Sequence, residues 1–161
     1  MLRVDKLQKN VIRDLWDRAG GLPGGKTLFS RAIGLMAPYS GSIGARVEEL
    51  ARGRSRVSMA DRRAVRQHLG SVHAVALVNL AELCGNLAVA YSLPDGMRFI
   101  VAGLSIEYLK KARGRITATC ELDLPPLDAK LEIQVPVSMK DPKGVEVARA
   151  TLRTLIGPVK G

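Results

Sequence analysis

The chain has 161 residues, of which 47% are hydrophobic and 25% charged, a composition typical of a globular protein. This is the usual size of a single domain and is enough to bury a substantial core. The net charge of +10 favours an anionic partner such as nucleic acid, an acidic membrane or a phosphorylated ligand. Only 4% of the residues are aromatic, which disfavours a base-stacking surface for single-stranded nucleic acid.

Cys84 and Cys120 are the only cysteines, and they are far apart in the sequence. They form no CxxC motif and no His–Cys cluster, which argues against a structural zinc site and against a disulfide scaffold. Both lie among small apolar residues, as expected of reduced, buried thiols in a cytoplasmic protein. The first ten residues, MLRVDKLQKN, do not have the pattern of a signal peptide. We therefore expect a cytoplasmic protein without a bound metal.

The N-terminal part of the chain is predicted to be helical. Residues 4–19 carry apolar side chains at helical spacing, and a Gly-Gly pair ends this helix. Thr27 is predicted to cap a second, shorter helix that ends before Pro38. We therefore assign residues 1–38 to an N-terminal helical extension and residues 39–161 to the main domain.

The segment GGLPGGKT, residues 20–27, matches the phosphate-binding pattern G-x-x-x-x-G-K-[ST]. In a nucleotide-binding loop this pattern lies between a buried strand and a helix, where backbone N–H groups converge on phosphate. Here the preceding segment has helical periodicity, and no parallel βαβ series follows. We interpret the segment as a turn between two helices, with nucleotide binding as the alternative.

The rest of the chain predicts six strands and one long helix. A hairpin is predicted over residues 46–59, followed by a polar loop and an apolar helix that Ser71 caps and that runs to about Tyr91. Four further strands are predicted over residues 99–109, 115–122, 131–137 and 145–156. Because short turns join these strands, we expect an antiparallel sheet with the helix on one face, which is an α+β domain.

The long helix carries a polar stripe on an otherwise apolar surface. Asn79, Glu82 and Asn86 are spaced so that they lie on one side of a helix. The stripe is either a structural hydrogen-bonding network or the lining of a pocket. In a pocket, Glu82 could act as a general base or nucleophile, and the free N–H groups at the helix start could stabilise an oxyanion. His73 falls on the opposite side from Glu82, which indicates a structural role.

The same apolar stretch, residues 74–93, is long enough to cross a lipid bilayer. Three polar side chains within that span favour the core helix of a soluble domain. A membrane-spanning helix is the alternative.

Arginine is concentrated in one part of the sequence. Six arginines occur within fifteen residues, namely Arg52, Arg54, Arg56, Arg62, Arg63 and Arg66. Such a cluster is either a solvated face or a patch that faces phosphate groups. Nucleic-acid binding through this cluster is one of the hypotheses.

Two segments resemble hotdog-fold acyl-CoA thioesterases of the phenylacetyl-CoA thioesterase-like group. LGSVHAVALVNLAE, which begins at Leu69, is similar to the helix-start signature N-x-x-G-x-x-H-G-G of that family. In the family an acidic residue follows eight positions after the first glycine of the final pair, and Glu82 takes that position relative to Ala74. LSIEYLKKARG, residues 104–114, resembles a strand of the family that ends in an aromatic residue and continues as L-x-P-A-R-x-G.

The resemblance implies a hotdog fold, in which an antiparallel sheet wraps around a long helix. It further implies a homodimer, or a dimer of dimers, with an acyl thioester bound between protomers. Glu82 would attack the thioester carbonyl or activate water, and the N–H of Ala74 would hold the oxyanion. The implied function is hydrolysis of an acyl-CoA or related thioester to free acid and thiol, with coenzyme A entering only as part of the substrate.

The resemblance also assigns residues around this centre. Gln67 stands where the family often has Asn and is expected to take part in catalysis. The residues expected to bind the substrate are Gly70, His73, Asn79, Asn86, Val101, Lys110, Lys111 and Arg113. The basic members of this set would meet the phosphates of coenzyme A.

The chain departs from the family pattern at three places. One is Gln67, which replaces the Asn that the family often has. His73-Ala74-Val75 replaces His-Gly-Gly, so two Cβ atoms narrow the approach to the helix start. Val101 occupies the place of a polar residue that some members use to position water. A hotdog protein that binds an acyl ligand without cleaving it is therefore an alternative to the thioesterase.

Overall fold

The computed structural model of the protein describes residues 9–159. Its elements along the chain are α1 (Val11–Ala19), α2 (Gly25–Met36), α3 (Pro38–Gly41), β1 (Arg46–Ala51), β2 (Arg54–Met59), α4 (Ala74–Ser92), β3 (Met97–Tyr108), β4 (Ile116–Glu121), β5 (Leu131–Lys140) and β6 (Glu146–Pro158). The six strands form one sheet in the order β1-β2-β4-β5-β6-β3, and every neighbouring pair is antiparallel. The predicted α+β class is confirmed.

The long helix α4 is the centre of the core because nearly its whole circumference is apolar. Leu80 and Cys84 are completely buried. A Cβ added at Gly85 would lie 3.1 Å from side-chain atoms of Leu152 and Val135, so glycine lets the sheet approach this turn of the helix closely. By length and composition α4 could span a membrane, and most of that stretch is buried inside the domain.

The N-terminal helices are attached to α4 and to each other. Trp16 of α1 and Phe29 of α2 pack edge to face, with ring centroids 5.0 Å apart. Asn10 caps α1, and its side-chain amide donates to the carbonyl oxygens of Ala90 at 2.7 Å and Leu93 at 2.9 Å. The beginning of α1 is therefore tied to the C-terminal end of α4.

Several predicted boundaries change in the N-terminal region. The first helix begins at Val11, and the predicted residues 4–8 lie outside the described residues. The second begins at Gly25, after Gly24 in the left-handed conformation (φ 75°), so the expected cap at Thr27 is wrong. The segment GGLPGGKT thus follows a helix and not a strand, which removes the context that a phosphate-binding loop needs. The domain boundary at residue 38 stays a prediction.

β3 is an edge strand, since among the described residues it pairs only with β6. The inner-face residues of β3 are half-buried and are Met97, Phe99, Val101, Leu104 and Ile106. A shift of register between Val101 and Gly103 interrupts the pairing with β6. The free edge presents backbone N–H and C=O groups to whatever lies beside it.

Candidate functional site

One face of α4 is covered neither by the sheet nor by the N-terminal helices. Successive residues advance by about 100° around a helix, so Val75, Val78, Glu82 and Asn86 lie on one side. These four side chains are exposed or half-buried, whereas Leu80, on the opposite side, is completely buried. We call this face, defined by these four residues, the α4 groove.

Both flanks of the α4 groove are joined to the helix by hydrogen bonds. On the α3 side, the buried Asn79 donates from Nδ2 to the carbonyl oxygen of Tyr39 at 3.0 Å. On the β3 side, the Tyr108 hydroxyl donates to the carbonyl oxygen of Ala74 at 3.2 Å. The groove therefore runs along α4 between α3 and the edge strand β3.

Glu82 lies midway along the α4 groove and is half-buried. Within residues 9–159 its carboxylate has no hydrogen-bond or ion-pair partner. One turn further on, the Oδ1 atom of Asn86 is buried and likewise unpartnered by described residues. Glu82 is therefore free to contact a ligand or accept a proton, whereas Asn79 is already occupied by its bond to α3.

The start of α4 combines a cap with a free donor. His73 is the N-cap residue, and its Nδ1 atom accepts a hydrogen bond from the N–H of Val75 at 3.1 Å. The N–H of Ala74 donates to no acceptor in the described part of the chain. An unpaired N–H at the positive end of a helix dipole favours a negatively charged oxygen. The structural role predicted for His73 matches this geometry, and the predicted cap at Ser71 is wrong.

Residues 67–71 form a tight loop that leads into α4. The side chain of Gln67 donates from Nε2 to Ser71 Oγ at 2.8 Å and accepts at Oε1 from the N–H of Leu69 at 2.9 Å. Gly70 has a φ of 74°, which favours glycine. Because both ends of the Gln67 amide are used inside the loop, its geometry is that of a residue that shapes the helix start.

Val101 lies on the inner face of β3, next to the register shift. Its partner across the strand pair is Thr154, whose hydroxyl is buried and has no partner among the described residues. Val101 thus belongs to the β3 flank of the α4 groove, where its side chain supplies apolar surface and no hydrogen bond.

Two basic segments that are distant in sequence meet beside the start of α4. The carboxylate of Asp61 accepts from Arg66 Nε at 2.6 Å and from the N–H of Gly114 at 2.8 Å. The hydrogen bond from Arg66 is the main cause that lowers the pKa of Asp61. In addition, the N–H of Val72 donates to the carbonyl oxygen of Ala112 at 2.9 Å.

These contacts form a basic patch, which we define as Arg63, Arg66, Lys110, Lys111 and Arg113. All five residues are exposed. The side chains of Lys110, Lys111 and Arg113 form no salt bridge with the described residues. These three side chains therefore offer uncompensated positive charge next to the start of the α4 groove, whereas Arg66 is paired with Asp61.

The six-arginine cluster of the sequence does not form one surface. Arg54 and Arg56 pair with Glu49 of the neighbouring strand at 3.6 and 3.5 Å. Arg52 donates to the carbonyl oxygen of Ser92, at the opposite end of α4 from the basic patch. This division weakens the hypothesis of a single nucleic-acid interface.

Described residues line two large cavities that do not have Glu82 in their walls. One, of about 890 Å³, lies at the C-terminal end of α4. The other, of about 780 Å³, lies between α2, α3 and β1, with Arg31, Arg46 and Leu83 in its walls.

Cys84 and Cys120 are free thiols buried in the core, as predicted. Burial raises the pKa of each thiol to about 12. The described residues contain no group of three or more His, Cys, Asp or Glu side chains arranged to hold a metal ion. Apart from Tyr108, the chemistry-bearing groups at the groove are therefore the carboxylate of Glu82, the amide of Asn86 and the N–H of Ala74.

Tyr108 was not among the site residues expected from the sequence, although it is the aromatic residue that ends the strand in the motif LSIEYLKKARG. Its hydroxyl reaches the first carbonyl group of α4. The aromatic residue at the end of this motif was the signal by which the sequence could have identified Tyr108 as a site residue.

A long central helix wrapped by an antiparallel sheet, with a groove at the helix start, defines a hotdog-fold protein of the thioesterase-like class. The chain belongs to the family described as a domain of unknown function, DUF4442, whose model matches residues 25–156. A comparison with curated proteins returned no match.

Similar solved structures support the assignment of the hotdog fold. A structural-genomics protein is 32% identical with a TM-score of 0.77, covering 91% of this chain and 98% of that chain. A Pseudomonas aeruginosa protein of unknown function, named a probable thioesterase, is 26% identical with a TM-score of 0.73, covering 85% and 97%. A Haemophilus influenzae thioesterase is 15% identical with a TM-score of 0.68, covering 76% and 85%, and shows the fold alone. The predicted hotdog fold is confirmed.

Proposed function

We propose that the protein hydrolyses an acyl-CoA, or a related acyl thioester, to the free acid and the thiol. One observation carries the proposal: the unpartnered carboxylate of Glu82 lies in a groove that begins at the free N–H of Ala74. Carboxylates activate water in general-base catalysis, and backbone N–H groups at helix starts stabilise oxyanions. Among the similar solved structures, one is named a probable thioesterase and another a thioesterase, which agrees with the proposed reaction.

In the proposed reaction the thioester carbonyl oxygen accepts a hydrogen bond from the N–H of Ala74. Glu82 takes a proton from water, and the resulting hydroxide attacks the carbonyl carbon. The tetrahedral intermediate then breaks its C–S bond, and the leaving thiolate receives the proton from Glu82. The Ala74 N–H acts on the oxygen that gains negative charge in the transition state.

The spacing along α4 argues that two protomers share each site. Ala74 and Glu82 are eight residues apart, which is about 12 Å along the helix axis. One carbonyl group cannot contact both directly, even though helical side chains lean towards the N-terminus. We infer that a homodimer, with its free β3 edges paired, brings the N–H of Ala74 next to Glu82 of the partner subunit. A dimer of dimers would keep the same sites.

The first experiment compares variants of the two groups in a thiol-release assay with a panel of acyl-CoAs. We expect Glu82→Gln to lower kcat by at least about 100-fold. Ala74→Pro replaces the amide hydrogen with a ring carbon atom and so removes the donor, and proline is favoured at the first position of a helix. The preceding residue, His73, already has the extended conformation (φ −67°, ψ 140°) that proline requires of its neighbour. Glu121→Gln, an exposed carboxylate on β4, is the matched control.

A mixing experiment tests the shared site. Glu82→Gln and Ala74→Pro protomers are unfolded together and refolded, so that mixed dimers form. If sites are shared, a mixed dimer retains one intact site and regains activity, whereas sites within one chain leave the mixture inactive. No turnover of any acyl-CoA by the unmodified protein would contradict the catalytic proposal itself.

The basic patch is proposed to hold the phosphates of coenzyme A. Lys110→Ala, Lys111→Ala and Arg113→Ala should raise KM for an acyl-CoA and leave KM for the corresponding acyl-pantetheine, which lacks the nucleotide, unchanged. Lys26→Ala on α2 is the control. An equal effect on both substrates would contradict this assignment.

A non-catalytic acyl-ligand-binding protein is the second candidate. The side chain of Val75, 50% exposed in the groove, favours it because its bulk narrows the approach to the helix start. Saturable acyl-CoA binding without turnover would support this candidate. In either case we propose a cytoplasmic protein that uses no separate cofactor and binds no nucleic acid.

A further inference from the structure

The cavity of about 890 Å³ is lined on α4 by Ala90, which lies about two turns beyond Glu82. Glu82, Asn86 and Ala90 follow one another at intervals of four residues along α4, and Leu93 is the residue that directly follows the helix. Ala90 and Leu93 both line the cavity. The α4 groove thus points from Glu82 towards this cavity.

The walls of the cavity come from elements that are far apart in the sequence. Val11 and Ile12 of α1, Met36 at the end of α2, and Met97 and Phe99 of β3 contribute apolar side chains. The charged residues in the lining are Lys9, Asp95, Arg98 and Lys130.

The N-terminal helices close the end of the cavity. Asn10 donates to the carbonyl oxygens of Ala90 and Leu93, and Arg13 donates to Asp95 at 2.9 Å. These bonds hold α1 across the end of α4. A ligand that extends along α4 from Glu82 would therefore meet α1 as a wall.

We propose that this cavity receives the far end of the acyl chain, and that α1 and the end of α2 set the length that fits. The proposal rests on the proposed function for the head group of the ligand. From Glu82 to Ala90 the helix rises by about 12 Å, which an extended chain of roughly ten carbon atoms spans. The substrate class is thus a medium or long acyl thioester, and short acyl groups leave the cavity empty.

Apolar burial gives the selectivity. Each methylene group that moves from water into the cavity strengthens binding by about fourfold. Affinity should rise with chain length until the chain reaches α1 and should then stop rising. A volume of this size is within the usual range for small-molecule sites.

The test uses free fatty acids and needs no thioester cleavage. Dansyl-undecanoic acid is bound to the full-length protein and displaced by saturated fatty acids of increasing length. In Ala90→Leu and Ala90→Phe a larger side chain enters the cavity. The longest fatty acid that binds well should therefore be shorter for Ala90→Leu than for the unmodified protein, and shorter again for Ala90→Phe. Decanoic acid should bind Ala90→Phe at least about tenfold more weakly than it binds the unmodified protein. Met36→Ala should shift the preference to longer chains.

Ala51→Phe, an exposed alanine on β1, is the matched control for added bulk. Unchanged chain-length preference in both Ala90→Phe and Met36→Ala, with thermal melts showing folded protein, would overturn the proposal. If the probe binds only after residues 1–8 are removed, the chain itself fills the cavity, which also overturns it. Probe binding with a chain-length limit but no thioester turnover would support the cavity and contradict only the proposed function.

Discussion

The hydroxyl group of Tyr108 lies 3.2 Å from the carbonyl oxygen of Ala74, so the end of β3 is joined to the first residue of α4. Tyrosine is protonated at neutral pH, so its hydroxyl is available as the donor, and burial raises the pKa of Tyr108 further above its ordinary value. The bond links the free sheet edge to the helix start at which we place the thioester carbonyl. Tyr108 is therefore a positioning residue for the proposed oxyanion site.

Tyr108→Phe should lower kcat/KM for an acyl-CoA by about three- to tenfold, because the loosened helix start orients the Ala74 N–H less well. The bond is partly exposed, so the free energy of unfolding should fall by no more than about 1 kcal/mol. Steady-state kinetics and urea unfolding measure the two effects. Ser105→Ala, an exposed residue of β3, is the control. A large loss of stability with unchanged kinetics would contradict the positioning role.

Asn79→Ala should destabilise the fold through the loss of one buried contact. The side chain of Asn79 is 4% exposed and holds α3 by its bond to the carbonyl oxygen of Tyr39. Leaving that carbonyl unsatisfied costs about 1–3 kcal/mol in the free energy of unfolding. Gln134→Ala, at an exposed position on β5, should have little effect in the same urea titration. Equal stability of both variants would show that the bond does not hold α3.

Asp61 should make stability depend on pH in the acid range. Because its pKa in the folded protein is lowered from 3.8, chiefly by the hydrogen bond from Arg66, the ionised form stabilises the fold. This stabilisation is complete above the ordinary pKa and is lost as the pH falls through the lowered value.

Asp61→Asn should therefore be less stable than the unmodified protein by about 1–2 kcal/mol at neutral pH. The difference should shrink as urea unfolding is repeated at progressively lower pH in the acid range. Asp128→Asn, in an exposed loop, should show no such trend. A difference that grows on acidification would contradict the sign of the pKa shift.

The two cysteines should not react in the folded protein. Both are completely buried, and a pKa of about 12 leaves almost no thiolate at neutral pH. A disulfide reagent should detect no thiol in the native state and two in denaturant. A fast native reaction at either cysteine would show that the core opens. If neither cysteine reacts in the native protein, the protein thiols also add no background to the thiol-release assay.

Local patterns in the sequence were sufficient for most of the fold. Strict alternation over residues 115–122 predicted β4, and the apolar run from Ala74 predicted the core helix α4. Such patterns work because the period of burial is set by the backbone geometry of each element. The family motifs then joined these elements into the hotdog arrangement and marked Glu82 as a site residue.

Capping and loop details could not be read from the sequence in the same way. Ser71 is a good N-cap by residue type, yet its hydroxyl accepts from Gln67 and His73 caps α4 instead. Gly24 replaces Thr27 as the cap of α2. Several residues near each helix start could serve as the cap, and the choice depends on where the preceding loop is anchored.

The sequence by itself determined the α+β class, the buried character of α4 and the position of Glu82 on its polar stripe, because each depends on spacing within one element. Only the tertiary structure decided which distant residues meet. Asp61 joins the two basic segments through Arg66 and Gly114, and α1 closes the cavity at the end of α4. These contacts arise from sheet order and chain closure, which local periodicity does not encode.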